Sequence, residues 1–188
     1  MRRDRLPPGQ RLVKNWPVLD LGNKPNLDLD KWSLTIDGDI TNPIKWTWPE
    51  FLEQPQVEIT SDIHCVTGWS RYDNRWVGVK AAHLIETVEP WSEVKHCILH
   101  SYDGYKTNVL MELFRKSNVI LAFKWNGDLL SAEHGGPVRA LLPGQYFWKS
   151  AKWIRRIEFT EEDRPGYWEM RGYHNIGDPW KEERYHDD

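Results

Sequence analysis

The chain has 188 residues, enough for one domain burying about 70% of its unfolded surface, and its 39% hydrophobic and 28% charged residues are usual for a globular protein. A formal charge of −3 supplies no broad positive field, so nucleic acid and anionic lipid are not expected partners, and no stretch reaches the roughly 20 apolar residues of a membrane span. Two cysteines cannot form a disulfide framework, which predicts a reducing, cytoplasmic setting.

Along the chain, MRRDRLPPGQ is basic but leads into no apolar run of signal-peptide length. WSLTIDGDI and IKWTW flank the Asn42-Pro43 turn and predict a β-hairpin. PEFLEQ opens on Pro49 and Glu50, which suit a first helical turn, and KAAHLIETV places Ala81, Leu84, Ile85 and Val88 at helical spacing. The stretches VEITSDIHC, HCILHS, YKTNVLM, VILAFKW, PVRALLP and KWIRRIEFT are rich in β-branched and aromatic residues. Together they predict an α+β fold of mixed, mainly antiparallel sheets with short helices. From about Glu161 the chain turns polar and aromatic. This divides it into a domain over residues 1–160 and an extension over 161–188 whose Trp168, Tyr173, Trp180 and Tyr185 dock on the domain.

Chemistry centres on Cys65, in SDIHCVTGWSRYDNRWVGV. Cys97 sits beside Ile98 and Leu99 in an apolar strand and reads as a core residue, whereas Cys65 ends a strand pattern ahead of a turn at Gly68. Three active roles are open to it: nucleophile, zinc ligand, or ligand to a softer metal. A nucleophile needs a base, and His64 is badly placed because neighbours on a strand point to opposite faces, leaving His83, His100 or His134. Structural zinc needs paired ligands, and no C-x-x-C or H-x-x-x-H pairing exists. A lone thiolate can hold a redox metal when a cofactor supplies most other ligands. That role requires a second site for the cofactor, and EHGGPVRALLPGQYFWKSAKW supplies a candidate: Gly135 and Gly136 permit close backbone approach, Arg139 offers a fork suited to phosphate, and Ser150, Ala151 and Lys152 add a hydroxyl, amides and an ammonium. Twelve tryptophans could wall a planar ligand or pack the core.

HCVTGWS with RWVGV, ILHSYDGYKT, LAFKWNGDLLSAEHGGPVRALLPG and KSAKWIRRI together resemble the molybdopterin-binding domain of the sulfite oxidase superfamily, over roughly Arg11 to Ile157. The resemblance implies the sulfite-oxidase molybdopterin-binding fold and a molybdenum-molybdopterin cofactor, with Cys65 as the metal-coordinating thiolate and Tyr105 as a catalytic tyrosine facing the metal. It implies cofactor-binding roles for His134, Arg139, Ser150, Ala151, Lys152 and Ser101. Asn15 and Trp16 stand where the family has an R-N-H-x-P-type element. The implied reaction is two-electron oxygen-atom transfer to or from a sulfoxide or small oxyanion. Electrons would then pass to a separate electron-transfer protein or quinone-linked subunit, since no C-x-x-C-H haem motif is present. The adjacent arginines of sulfite-oxidising relatives are absent, leaving Lys14, Arg71 and Arg75 to compensate. The family's C-terminal dimerisation domain has no counterpart in 161–188. Two rival expectations are a molybdopterin-binding protein without turnover and a cysteine-nucleophile hydrolase.

Overall fold

The computed structural model describes residues 5–187. In chain order the strands are β1 (Arg11–Leu12), β2 (Ser33–Gly38), β3 (Ile44–Thr47), β4 (Gln56–Cys65), β5 (Trp69–Lys80), β6 (His96–Ser101), β7 (Lys106–Leu110), β8 (Ile120–Trp125), β9 (Asp128–Leu129), β10 (Arg139–Leu141) and β11 (Ile154–Thr160). The helices are α1 (Trp48–Glu53), α2 (Ala81–Val88) and α3 (Met111–Phe114). The strands form two sheets. One runs β1-β5-β8-β10, with β4 also on β5 and β9 on β8; the other runs β3-β2-β11-β6-β7. Pairing is antiparallel except at β1 with β5 and β11 with β2, so the mixed, mainly antiparallel α+β architecture expected from the sequence is the one found.

The predicted hairpin is β2 with β3, in register from Ser33 opposite Thr47 to Ile36 opposite Ile44. Helix α1 starts as its composition dictates: the Glu50 carboxylate accepts from the Thr47 amide and hydroxyl at 2.7 Å each, closing a capping box behind Pro49. β5, 12 residues long, was not expected as a strand, because its run Ser-Arg-Tyr-Asp-Asn-Arg lacks an apolar alternation. Its buried polar members are instead satisfied by hydrogen bonds: Ser70 with His64 at 2.8 Å, and Asn74 to the carbonyls of Ser61 and Arg71.

The main core lies between the sheets, where Leu34, Leu99, Val109, Leu121, Phe123, Ile157 and Phe159 meet the buried faces of the helices. A second cluster covers the other face of the first sheet: Trp16, Ile63, Cys65, Trp69, Trp76, Ile120, Ala122, Leu130 and Leu141. Alternate residues of β8 serve the two clusters, as strand geometry requires. Cys97 is fully buried in the first cluster and Cys65 belongs to the second.

The C-terminal segment packs onto the domain through a buried ion pair. Lys149 Nζ lies 2.6 Å from Glu169 Oε1, with side-chain exposures of 2% and 0%. The same carboxylate oxygen accepts from Thr107 and from the Trp148 indole at 2.9 Å, and Lys149 also donates to Asn108. Removing one partner strands the other charge, so Glu169→Gln is expected to destabilise the fold by about 3–5 kcal/mol in urea unfolding. The double variant Lys149→Met/Glu169→Leu should recover most of that loss, because a packed apolar pair needs no counter-charge.

Candidate functional site

A cavity of about 370 Å³ opens where the end of β4, the loop before β10, the loop after it and the C-terminal segment converge. Cys65 is the last residue of β4, and the turn Val66–Gly68 returns the chain into β5 with the Gly68 amide donating to the Cys65 carbonyl at 3.0 Å. Gln10 Nε2 donates to the same carbonyl, and Arg184 from the C-terminal segment donates to the Val66 carbonyl, so both ends of the chain hold this turn. The Cys65 sulfur lies 3.2 Å from the Thr67 hydroxyl, and burial pushes the thiol pKa up. Metal binding would draw off that proton, since coordinating thiols are deprotonated.

Histidines do not turn Cys65 into a nucleophile. His64 points to the opposite face, held by Ser70, with its pKa lowered to about 4 by burial. His83 is bonded to Gln54 and His100 to Glu158. His134 alone shares the cavity, yet among the described residues Thr67 is the only hydrogen-bond partner of the sulfur. A raised thiol pKa with no adjacent base runs against the hydrolase expectation.

The same lining carries two cationic side chains. Arg139 opens β10 and is 2% exposed; its terminal nitrogens donate to the carbonyls of His134 at 2.8 Å and Ser150 at 2.7 Å, and its plane lies 4.1 Å from the Phe147 ring centroid. Its Nε has no hydrogen-bond partner among the described residues. Burial lowers its pKa to about 9, leaving it charged at neutral pH. Lys152 donates to the carbonyls of Leu19 and Glu133, and burial, aided by Arg139, lowers its pKa to about 8. Among the described residues neither cation has a carboxylate within ion-pair distance. His134, whose pKa is lowered to about 4 by burial and then by these two cations, stacks on Trp16 with centroids 3.7 Å apart and planes at 4°.

Ser101, Tyr105, Ser150 and Ala151 complete this lining. Ser101 ends β6, is buried, and its hydroxyl has no hydrogen-bond partner among the described residues. The Ser150 hydroxyl accepts from the Leu142 amide at 3.0 Å. The Tyr105 hydroxyl donates to the Trp148 carbonyl at 2.7 Å, and burial holds its pKa well above the usual phenol value. The glycines act differently from expectation. A Cβ on Gly135 would lie 2.8 Å from that of Lys152, and one on Gly136 would lie 2.1 Å from the Leu130 carbonyl oxygen, so the pair seats the loop flush against its own chain and sets Lys152 beside Arg139.

Nine of the ten residues singled out from the sequence therefore line one cavity: Cys65, Tyr105, Trp16, Ser101, His134, Arg139, Ser150, Ala151 and Lys152. Asn15 does not; it is exposed, and its neighbour Trp16 turns inward. Lys14, Arg71 and Arg75 also lie outside the lining, with Arg71 occupied by the Lys14 carbonyl, Asn74 and the Trp125 ring. Thr67, Phe147 and Trp148 were not foreseen. The aromatic run Tyr146–Trp148 next to Ser150 was the visible sign of the last two.

Whether a phosphorylated pterin bearing a soft metal suits this cavity is decided by its donors. A buried Arg139 and a half-buried Lys152, neither with a carboxylate within ion-pair distance among the described residues, an unpartnered guanidinium nitrogen and an unpartnered buried hydroxyl call for an anionic, hydrogen-bonding ligand, and one sulfur in the same lining offers a soft metal ligand. The residues fit. Fold and cavity define a molybdopterin-binding oxidoreductase domain of the sulfite oxidase type.

The chain belongs to the oxidoreductase molybdopterin binding domain family, which matches residues 21–168. It is 43% identical over 182 residues to the uncharacterized oxidoreductase YuiH of Bacillus subtilis, covering 96% of this chain and 92% of that protein. It is 27% identical over 151 residues to the putative protein-methionine-sulfoxide reductase subunit YedZ1 of Azospira oryzae, covering 80% of this chain and 57% of that one. The sulfane dehydrogenase SoxCD of Paracoccus pantotrophus shares the fold at 23% identity and a TM-score of 0.68, over 74% of this chain and 40% of that chain. Thus the chain spans nearly all of YuiH but little more than half of YedZ1. It is a molybdenum-dependent oxidoreductase, and among the described residues no helix is long and apolar enough to cross a membrane.

Proposed function

We propose that Cys65 is the protein's ligand to molybdenum and that Arg139, Lys152, Ser150, Ala151, Ser101, His134 and Trp16 bind the pterin and its phosphate. The observation that carries this reading is a buried Arg139 beside a half-buried Lys152, neither with a carboxylate partner among the described residues, in the same cavity as a buried thiol. When bound, the cofactor supplies two-electron oxygen-atom exchange. The chain's own residues supply the rest: a phosphate grip, a flat wall in the Trp16–His134 stack, and a dry pocket around the sulfur. Leu19 and Asp20 are exposed and belong to the lining, which supports a path for substrate from solvent and a role in turnover.

On this reading the substrate is a sulfoxide or a small oxyanion, and electrons arrive or leave singly through a separate protein or a quinone-linked subunit. The YedZ1 similarity supports the sulfoxide. Residues 1–160 form the cofactor-binding domain and 161–188 an extension wrapped on it, supported by the buried Lys149–Glu169 pair. Two free cysteines support a reducing, cytoplasmic compartment. The direct test is sulfoxide-dependent oxidation of a reduced dye by cofactor-loaded protein; a loaded protein inert to sulfoxides and to small oxyanions in both directions would refute the assignment of turnover.

The phosphate grip has a pH signature. Lys152 titrates near pH 8 in the free protein, and an anion beside it stabilises the charged form and raises that pKa. Inorganic phosphate should therefore bind cofactor-free protein fully below pH 8 and more weakly above it, by up to about tenfold per pH unit. Titration calorimetry between pH 7.5 and 9.5, where phosphate is mainly dianionic, reads this out. Lys152→Gln should bind weakly and lose the fall that sets in near pH 8, keeping only the one Arg139 adds from about pH 9.

A further inference from the structure

The lining of the cavity is of two kinds. Lys152 shares it with Arg139, Asp20 and Asp103, whose charges act on its own. Cys65, Thr67, Trp69, Trp148, Trp168 and Tyr173 line it without a charged side chain among them. Tyr173 stacks on Trp168 with centroids 4.9 Å apart and planes at 21°, and meets Trp148 edge-on at 5.1 Å. Tyr173 and Cys65 line the same cavity. Among the described residues the cation acting on the Cys65 thiol is Arg184, whose guanidinium is held by the Val66 carbonyl and lies over the Tyr146 ring.

Trp168 and Tyr173 stand on the C-terminal segment, with Tyr173 beyond the residues the family matches. They are not on a loose flap. The Tyr167 amide donates to the Lys106 carbonyl at 2.8 Å, Glu169 is locked between Lys149, Thr107 and Trp148, and the Gly177 carbonyl accepts from the Tyr146 amide at 2.7 Å. The two phenols of the cavity also differ. The Tyr105 hydroxyl already donates its hydrogen bond to the Trp148 carbonyl, whereas the Tyr173 hydroxyl makes no hydrogen bond among the described residues and has a donor to offer.

We propose that Tyr173 donates a hydrogen bond to the oxygen of the substrate and that Trp168 packs against the group carrying that oxygen, so that the C-terminal segment is the specificity wall of the site. This rests on the molybdenum reading above. The class it selects is an uncharged oxide of sulfur or nitrogen bearing an apolar group. A dianion placed between these rings would lose its hydration with no cation free to replace it, while a neutral dipolar oxide needs one donor and an apolar flank.

The test uses cofactor-loaded protein, with molybdenum content measured in every sample. Dimethyl sulfone, uncharged and redox-inert, and sulfate, a dianion of similar size, are titrated at fixed ionic strength while tryptophan fluorescence is followed. The sulfone should give a saturable change that a neutral sulfoxide competes away, and sulfate none. Tyr173→Phe should lower kcat/KM for the sulfoxide about tenfold and weaken sulfone binding equally, as loss of one net hydrogen bond does. Trp168→Ala should abolish the sulfone signal and Trp168→Phe restore it. Sulfate binding as tight as sulfone binding, or wild-type kinetics and sulfone affinity in both Tyr173→Phe and Trp168→Ala at full molybdenum content, overturns this proposal alone. Molybdenum missing from wild type and variants alike overturns the proposed function and this proposal with it.

Discussion

Cys65→Ser lowers dye-linked activity by more than about 100-fold while the protein stays folded. Replacing a partner that merely orients a metal ligand costs about 10–100-fold in metal affinity or activity, and loss of the ligand itself costs more. A serine hydroxyl is a hard donor that keeps its proton at neutral pH, so it does not replace a thiolate on a soft metal. Folding is spared because the side chain is nearly isosteric and the Thr67 hydroxyl remains to pair with it. Molybdenum content should fall less steeply than activity, since Arg139 and Lys152 still grip the phosphate. Wild-type turnover in Cys65→Ser would place the chemistry elsewhere.

Arg139→Met strips the cofactor without unfolding the chain. In the free protein this guanidinium is buried with no counter-ion, so its removal relieves a charge that burial disfavours. It also leaves the His134 and Ser150 carbonyls without their donors, at about 1–3 kcal/mol each. The two effects oppose each other, and unfolding of cofactor-free variant and wild type should agree to within about 2 kcal/mol. Cofactor retention behaves otherwise. Truncating one partner of a buried charge pair costs about 2–5 kcal/mol, a loss of at least about 30-fold in affinity, read as pterin and molybdenum content after dialysis. Equal losses of stability and cofactor would mean that Arg139 is structural.

The parts legible in the sequence were those with local causes. The hairpin at Asn42-Pro43 follows from turn chemistry, α1 from Pro49 and Glu50, and the division between Cys65 and Cys97 from the place of each in its strand. β5 escaped because its inward residues Ser70 and Asn74 are polar and bonded to partners on β4 and within β5 itself, so no apolar period marks it. The Lys149–Glu169 pair escaped because nothing local links a lysine in a turn to a glutamate twenty residues on. Glycines 135 and 136 were read as room for a ligand, whereas the close approach they permit is to Leu130 and Lys152. Trp16 was found through the resemblance, and its stack on His134 depends on β1 pairing parallel with β5, a contact no periodicity reports.

The account is tested most directly by elemental analysis and pterin fluorescence on wild-type protein freshly purified from a host that makes the molybdenum cofactor. About one molybdenum and one pterin per chain are expected, with the pterin largely lost in Arg139→Met. Folded wild-type protein carrying neither, or metal content identical in wild type, Cys65→Ser and Arg139→Met, would contradict it.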